Sequence, residues 1–315
     1  MTTYIIRRVI MMIPILIGIS ILSFAITYSA PGNPAMMNMD PSISPEVREQ
    51  QIKRLGLDDP IPVQYVRWMG NVLQGDLGTS YHRKVPVTDL ILDRLPNTLL
   101  LMGASLFLAV IIAIPFGVLS ATRQYSKMDY TVTFGSFVGL ATPNFWLGLM
   151  LIMLFSVQLG WTPVGGVATI GAEFSILDRL HHLLLPALVL ATADMAGLTR
   201  YTRSSMLEVI NQDYIRTARS KGFRERRVVY KHGLRNGLIP VVTMLGLMLP
   251  TMVGGSAIVE SVFGWPGIGK MFIDAVFQRD YPIILAVTMF GAVLTVVGNL
   301  IADIMYAVLD PRIEY

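Results

Sequence analysis

The stretch Thr98–Ala121, TLLLMGASLFLAVIIAIPFGVLSA, decides the fold class, because its 24 residues carry no charge. A helix rises 1.5 Å per residue, so about 20 apolar residues cross a bilayer core about 30 Å thick. Lipid offers backbone groups no hydrogen-bond partner, so such a run predicts a transmembrane helix. Five more runs resemble it, at roughly 9–30, 130–159, 183–198, 238–262 and 283–308. The 130–159 run is overlong and contains Pro143, which predicts a kink or tilt there. The 183–198 run is short and is followed by Thr199 and Arg200. Arg7 and Arg8 precede the first run as the basic end of a secretory signal would. That run is longer than a signal core, and Pro31 stands where cleavage would be needed, so an uncleaved first span is expected.

The composition agrees. Of 315 residues, 53% are hydrophobic and 15% charged, against about 45–50% and about 25% in soluble domains. Mean hydropathy is +0.56. There is no cysteine, which excludes disulfides, thiolate catalysis and cysteine-ligated metals.

Basic residues set the orientation. Six spans sort the connecting segments into two sets. The set containing both termini, the loop near 122–129 and the segment 200–236 carries 15 of the 25 bases. Segment 200–236 alone has ten bases against Glu208, Asp213 and Glu225. Segment 31–95 has seven bases against eight acids. Both termini and 200–236 are therefore expected in the cytoplasm, and 31–95 outside. Within 31–95, Pro31-Gly32-Asn33-Pro34 has turn chemistry. Pro62–Gln74 reads as a short helix with Val63, Val66, Met69 and Leu73 on one stripe and Trp68 nearby. Such a helix suits the membrane interface. It either caps the protein's own outer surface or offers a docking surface to an outside partner.

Segment 200–236 contains a well-punctuated short helix, Asp213–Lys221. Asn211 is the expected N-cap, Asp213 lies in the first turn, Arg219 and Lys221 in the last, and Gly222 at C′. Tyr214, Ile215 and Ala218 fall on one face. This helix fits either a groove on another protein or the surface of anionic lipid.

Asp213–Gly222 (DYIRTARSKG), followed by His232-Gly-Leu-Arg-Asn-Gly-Leu-Ile-Pro240, closely resembles the cytoplasmic signature of peptide-type ABC importer permeases. Other segments agree in order and spacing: Pro31–Pro34, Leu55-Gly-Leu-Asp58, Gly75-Asp-Leu-Gly78, Arg94-Leu-Pro-Asn-Thr98, Arg203-Ser-Ser-Met-Leu207, Trp265-Pro-Gly-Ile-Gly269, Arg279-Asp-Tyr-Pro282 and Asp310-Pro-Arg312. The likeness runs nearly end to end. It is to the B-type permease subunit of dipeptide or oligopeptide importers, of the App/Opp kind.

The resemblance implies an all-α membrane protein of the type I ABC importer permease kind, with six spans, both termini cytoplasmic, in the plasma (inner) membrane. It implies a homologous C-type permease, two ABC ATPase subunits that carry ATP and Mg, and an extracytoplasmic peptide-binding protein. No cofactor, catalytic residue, metal or nucleic acid is expected on this chain. Asp213, Tyr214, Ile215, Arg216, Thr217, Ala218, Arg219, Ser220 and Lys221 would form the ATPase-coupling helix, with Gly222 ending it. The broader importer motif has Glu-Ala-Ala where this chain has Arg216, Thr217 and Ala218, so the acidic contact of that motif is missing.

Gly264–Met271 nearly matches G-x-x-x-x-G-K-[ST], but Met271 replaces the hydroxyl that would hold Mg²⁺, and no strand is expected before it. A tight turn, re-entrant at the outer end of the fifth span, is the expected role. Asp194, near the end of the fourth span, and Glu260, near the outer end of the fifth, are candidate path or gate groups, because an acid within a span usually faces a cavity or partner. Asn299 and Asp303, one turn apart, are expected to pack between helices. Adjacent His181 and His182 point apart on a helix and make a poor chelate. Gly135/Gly139 and Gly254/Gly255 suggest close helix approach. An ion-driven secondary transporter would want several midplane ionisable groups and repeated broken helices, and neither is evident. A non-transporting membrane scaffold, and an ABC permease for nickel chelates, opines or sugars, are the remaining alternatives.

Overall fold

The computed structural model describes residues 2–29, 58–253 and 256–309. Pro31–Pro34, Leu55-Gly-Leu57, Gly254, Gly255, Asp310-Pro-Arg312 and the side chain of Asp303 lie outside what is described. In chain order the helices are α1 (Thr2–Ser29), α2 (Ile61–Leu73), α3 (Val87–Thr122), α4 (Lys127–Ala141), α5 (Asn144–Leu151), α6 (Ile176–Ile210), α7 (Asp213–Ser220), α8 (Glu225–Arg227), α9 (Leu234–Gly237), α10 (Ile239–Val253), α11 (Ala257–Val262), α12 (Ile268–Gln278) and α13 (Tyr281–Leu309). Two π-helical stretches, Ile152–Gln158 and Val228–Gly233, continue α5 and α8. The only extended pairing among the described residues is a single antiparallel bridge between Thr79 and Pro86.

Among the described residues, four helices are long and apolar enough to cross a membrane: Ile6–Ser29, Val87–Thr122, Ile176–Ile210 and Tyr281–Ile301. The 130–159 run is not one rod. Pro143 has no N–H to continue α4 and instead caps α5, so Lys127–Ala141 and Asn144–Gln158 meet at 103°. The 238–262 run is divided between α10 and α11, because the Ser256 hydroxyl accepts the Val259 N–H and starts a new helix. The short 183–198 run lies inside the 35 residues of α6. That helix begins where the Ser175 hydroxyl accepts the Asp178 N–H, and it continues past Leu198 because Thr199, Thr202 and Met206 are buried.

The described residues in Met1–Thr98 and Gly267–Tyr315 form one compact unit, and those in Leu99–Pro266 a second. In the first, Val87, Ile91, Ile268, Met271, Ala275, Ile283 and Ala286 make the core, and α1 packs along α13. Phe24 is buried on α1 against Tyr65 and Trp68 of α2, and Ser20 Oγ bonds Tyr65 Oη at 2.8 Å. The aromatic side of α2 therefore holds it to the protein. The stripe expected from its spacing points outward, with Val66 68% and Leu73 81% exposed.

This unit is tied by a buried carboxylate. Asp280 accepts from Ser80 Oγ (2.5 Å), Tyr81 N (3.1 Å) and His82 N (3.2 Å). It follows Arg279, whose left-handed backbone (φ 53°) closes α12. Gly267, the residue before α12, has no side-chain oxygen for a cap, and Thr98 Oγ1 supplies one by accepting the Ile268 N–H at 2.8 Å.

In the second unit, Leu101, Leu183, Leu185, Val189, Phe263 and Trp265 belong to the main core cluster. Close approach of α3 and α6 depends on Gly117, because a Cβ there would stand 2.5 Å from Thr202 Cβ. Gly139 similarly faces Thr192, with a Cβ-to-Cγ2 distance of 3.2 Å, whereas a Cβ on Gly135 would meet nothing within 4 Å. The pairing of Gly135 with Gly139 as a close-packing motif is thus corrected: only Gly139 serves the contact. Gly117→Ala should lower stability by about 1–3 kcal/mol through overpacking. Gly135→Ala should be neutral or stabilising by up to about 1 kcal/mol. Thermal melting of the two variants in detergent, compared with the parent, checks the contrast.

Candidate functional site

The short helix at 213–220 forms as its sequence suggests, with two changes of detail. Its N-cap is Gln212, which makes no side-chain cap bond. Asn211 instead closes α6, where its Nδ2 donates to Leu207 O at 2.9 Å. Gly222 has φ +74°, the left-handed conformation that favours glycine after a helix.

The larger change concerns direction. Ile215 and Ala218 are buried, with 1% and 6% exposure, and cluster with Val209, Phe223 and Val228. The apolar face of α7 is therefore spent inside the chain. Ile215 and Ala218 are anchors, and only Tyr214 of the three expected contact residues remains exposed. The outward residues are Asp213, Tyr214, Arg216, Thr217, Arg219, Ser220 and Lys221. Thr217 and Ser220 return their hydroxyls to Asp213 O and Arg216 O, and Arg216 pairs with Asp213 at 3.2 Å.

The segment after α7 holds it in place. Arg219 reaches Glu225 with two donors, at 2.7 and 3.2 Å, and this guanidinium holds the Glu225 carboxyl below its ordinary range. Arg227 lies over the Phe223 ring at 4.8 Å, and His232 stacks on the same ring at 5.6 Å. Asn236 Nδ2 donates to Tyr214 Oη at 2.9 Å.

At the other end of α6's cytoplasmic-signature segment lies an ion pair that sequence reasoning missed. Arg203 donates to both oxygens of Asp129, Nε to Oδ1 at 2.7 Å and Nη2 to Oδ2 at 2.9 Å. Ser120 Oγ and Tyr125 N donate to the same carboxylate. Asp129 is 3% exposed, so a single group joins the end of α3, the turn after it, the start of α4 and α6. Arg203 stands in a recognisable motif, but nothing in the spacing marks its partner 74 positions away.

Asp194 lies half-buried on α6, and its carboxylate has no hydrogen bond or ion pair among the described residues. Glu260 is fully buried on α11. The two are not brought together. His181 Nε2 meets Trp161 O, and His182 Nδ1 meets Asp178 O. Gly264, with φ +58°, turns the chain after α11, which is a helix and not the strand a phosphate loop requires.

Residues 113–315 match the family model described as binding-protein-dependent transport system inner membrane component, and residues 1–102 match its N-terminal companion. The chain belongs to this family. It is an inner-membrane permease component of an ABC transport system. Along the full length of both chains it is 66% identical to the oligopeptide transport system permease protein AppB of Bacillus subtilis. It is 39% identical to the dipeptide transport system permease protein DppB of Escherichia coli, covering all of this chain and 99% of that one. An inward-facing structure of the MetNI methionine ABC transporter superposes with a TM-score of 0.52 at 19% identity, over 69% of this chain and 96% of that chain. At that identity the likeness speaks for the helical ABC permease fold alone.

The two ion pairs should differ in weight. Breaking a buried pair from one side costs about 3–5 kcal/mol, whereas an exposed pair is worth about 0–1 kcal/mol. Asp129→Asn should therefore lower the melting temperature of the purified protein clearly, and Glu225→Gln should barely move it.

Proposed function

We propose that this chain is one of two permease subunits of an ATP-driven importer for oligopeptides or dipeptides. The observation that carries the reading is the end-to-end 66% identity with an oligopeptide permease. In this reading the chain crosses the membrane six times, with both termini in the cytoplasm. The additional crossings come from the bent pair Lys127–Ala141 and Asn144–Gln158 and from the 238–262 run.

A homologous C-type permease completes the path, an extracytoplasmic peptide-binding protein delivers cargo, and two ATPase subunits bind and hydrolyse ATP with Mg. The chain itself performs no chemistry. Helix α7 and Gly222 form the lever gripped by one ATPase. Closure of the ATPase pair displaces α7 as a rigid body, and the attached spans exchange one facing for the other. The energy enters through the difference in partner affinity between the two facings. Asp194 and Glu260 are the path or gate groups of this reading. In this reading Asp194, half-buried on α6, meets cargo in transit, and Glu260 is shielded in the described state.

Membrane vesicles holding the assembled importer test this. Uptake of a labelled peptide should require internal ATP and survive an ionophore that collapses the proton gradient. Uptake that stops with the ionophore while ATP is maintained would reject the reading.

A further inference from the structure

Beside α7 lies a cavity of 470 Å³ lined by Tyr214, Lys231, His232, Arg235, Asn236 and Ile239. Its charged lining is wholly cationic, Lys231 and Arg235. Lys231 and Arg235 carry fixed positive charge and make no ion pair among the described residues. Tyr214 Oη accepts from Asn236, which leaves its own proton to give. His232 Nε2 is buried with no hydrogen-bond partner. No carboxylate lines the cavity. The nearby acids are engaged elsewhere, Asp213 with Arg216 and Glu225 with Arg219. Two unpaired cations beside a free hydroxyl proton, in a cavity without a carboxylate, are built to receive an anion.

We infer that this cavity is a socket for a carboxylate side chain of the ATPase subunit, so that the coupling contact is polarised with positive charge on the permease. The inference rests on the reading of α7 as the ATPase lever, and it specifies the chemistry of that contact. Two observations favour a protein carboxylate over the phosphate of an anionic lipid. Tyr214 belongs to α7 itself, so the socket is continuous with the polar outward face of the lever. The aliphatic side chains of α7, Ile215 and Ala218, are buried, which leaves this helix no apolar face to lay among acyl chains.

The assembled importer tests this, with all subunits co-purified in nanodiscs. Lys231→Glu/Arg235→Glu should weaken retention of the ATPase by about tenfold or more, since unpairing a desolvated charge acts mainly on dissociation. Lys231→Gln/Arg235→Gln should weaken it less and flatten its salt dependence. Reversing an acidic residue on the ATPase surface should restore retention to the Glu double variant. If the Glu double variant does not assemble, the salt dependence of the unmodified complex and the Gln double variant still decide.

The inference is overturned if retention and its salt dependence are unchanged in the Gln variant. It is also overturned if the variants lose only a preference for phosphatidylglycerol over phosphatidylcholine nanodiscs, which would assign the socket to lipid. Ser220→Cys gives a separate readout, because the chain has no native cysteine. If that cysteine never cross-links to the ATPase, the lever reading itself fails. If it cross-links while the charge variants change nothing, only the socket fails.

Discussion

Burial of Ile215 and Ala218 against Val209, Phe223 and Val228 is the constraint on which the segment 200–236 depends. An isolated helix of eight residues is not stable in water, because nucleation costs more than two turns return. Helix α7 persists because its apolar face is folded into the chain, between the end of α6 and the π-helical stretch Val228–Gly233. Anchored in this way, the helix moves only with its surroundings. The same burial leaves α7 a polar, positively charged outer surface with Tyr214 as its one large exposed ring.

Each compact unit is organised around a buried carboxylate that collects donors from segments far apart in the chain. In one, Asp280 takes the hydroxyl of Ser80 and the N–H groups of Tyr81 and His82, some 200 positions away. In the other, Asp129 takes Ser120, Tyr125 N and the fork of Arg203. Both sit at helix ends, where chain reversal leaves backbone groups without intrahelical partners. A carboxylate with several acceptor sites can satisfy several such groups at once, and its charge is compensated by donors around it. The apolar spans give these units their size. The carboxylates fix which loop meets which helix.

The sequence made the long apolar segments legible, and Gly222 stops α7 where its chemistry demands, whereas the Ser256 cap that divides the 238–262 run was not read. Periodicity put Tyr214, Ile215 and Ala218 on one face, but only Ile215 and Ala218 share the buried one, while Tyr214 is exposed. The direction of the buried face was not legible, because Phe223 and Val228, which cover it, lie in the following turn and π-helical stretch, whose path has no sequence signature. The same limit applies to α2, whose apolar stripe faces outward while Tyr65 and Trp68 hold it in place. Asp129 was invisible for a different reason. A lone acid at the start of a helix is ordinary, and only the fold brings Arg203 to it. Gly117 differs from Gly135 solely in having Thr202 opposite, which no single-chain pattern encodes.

The connection between α6 and α7 bears on how motion passes through the molecule. Only Asn211 and Gln212 separate the two helices, and both N–H groups are bonded back to α6, to Glu208 O and Val209 O. A link of two bonded residues has little slack. Helix α6 runs for 35 residues with Pro186 inside it, roughly 50 Å at 1.5 Å per residue. Under the proposed lever role, a push on α7 would be delivered to a helix long enough to traverse the bilayer. Near its cytoplasmic-signature end, that rod is clamped by Arg203 to the Asp129 cluster. Its displacement must carry the α3–α4 turn with it or break a buried ion pair. The second course is the costlier, so the proposed lever role would have the α3–α4 turn and the end of α6 follow α7, with bending elsewhere in the unit, where the helices are already interrupted at Thr142–Pro143.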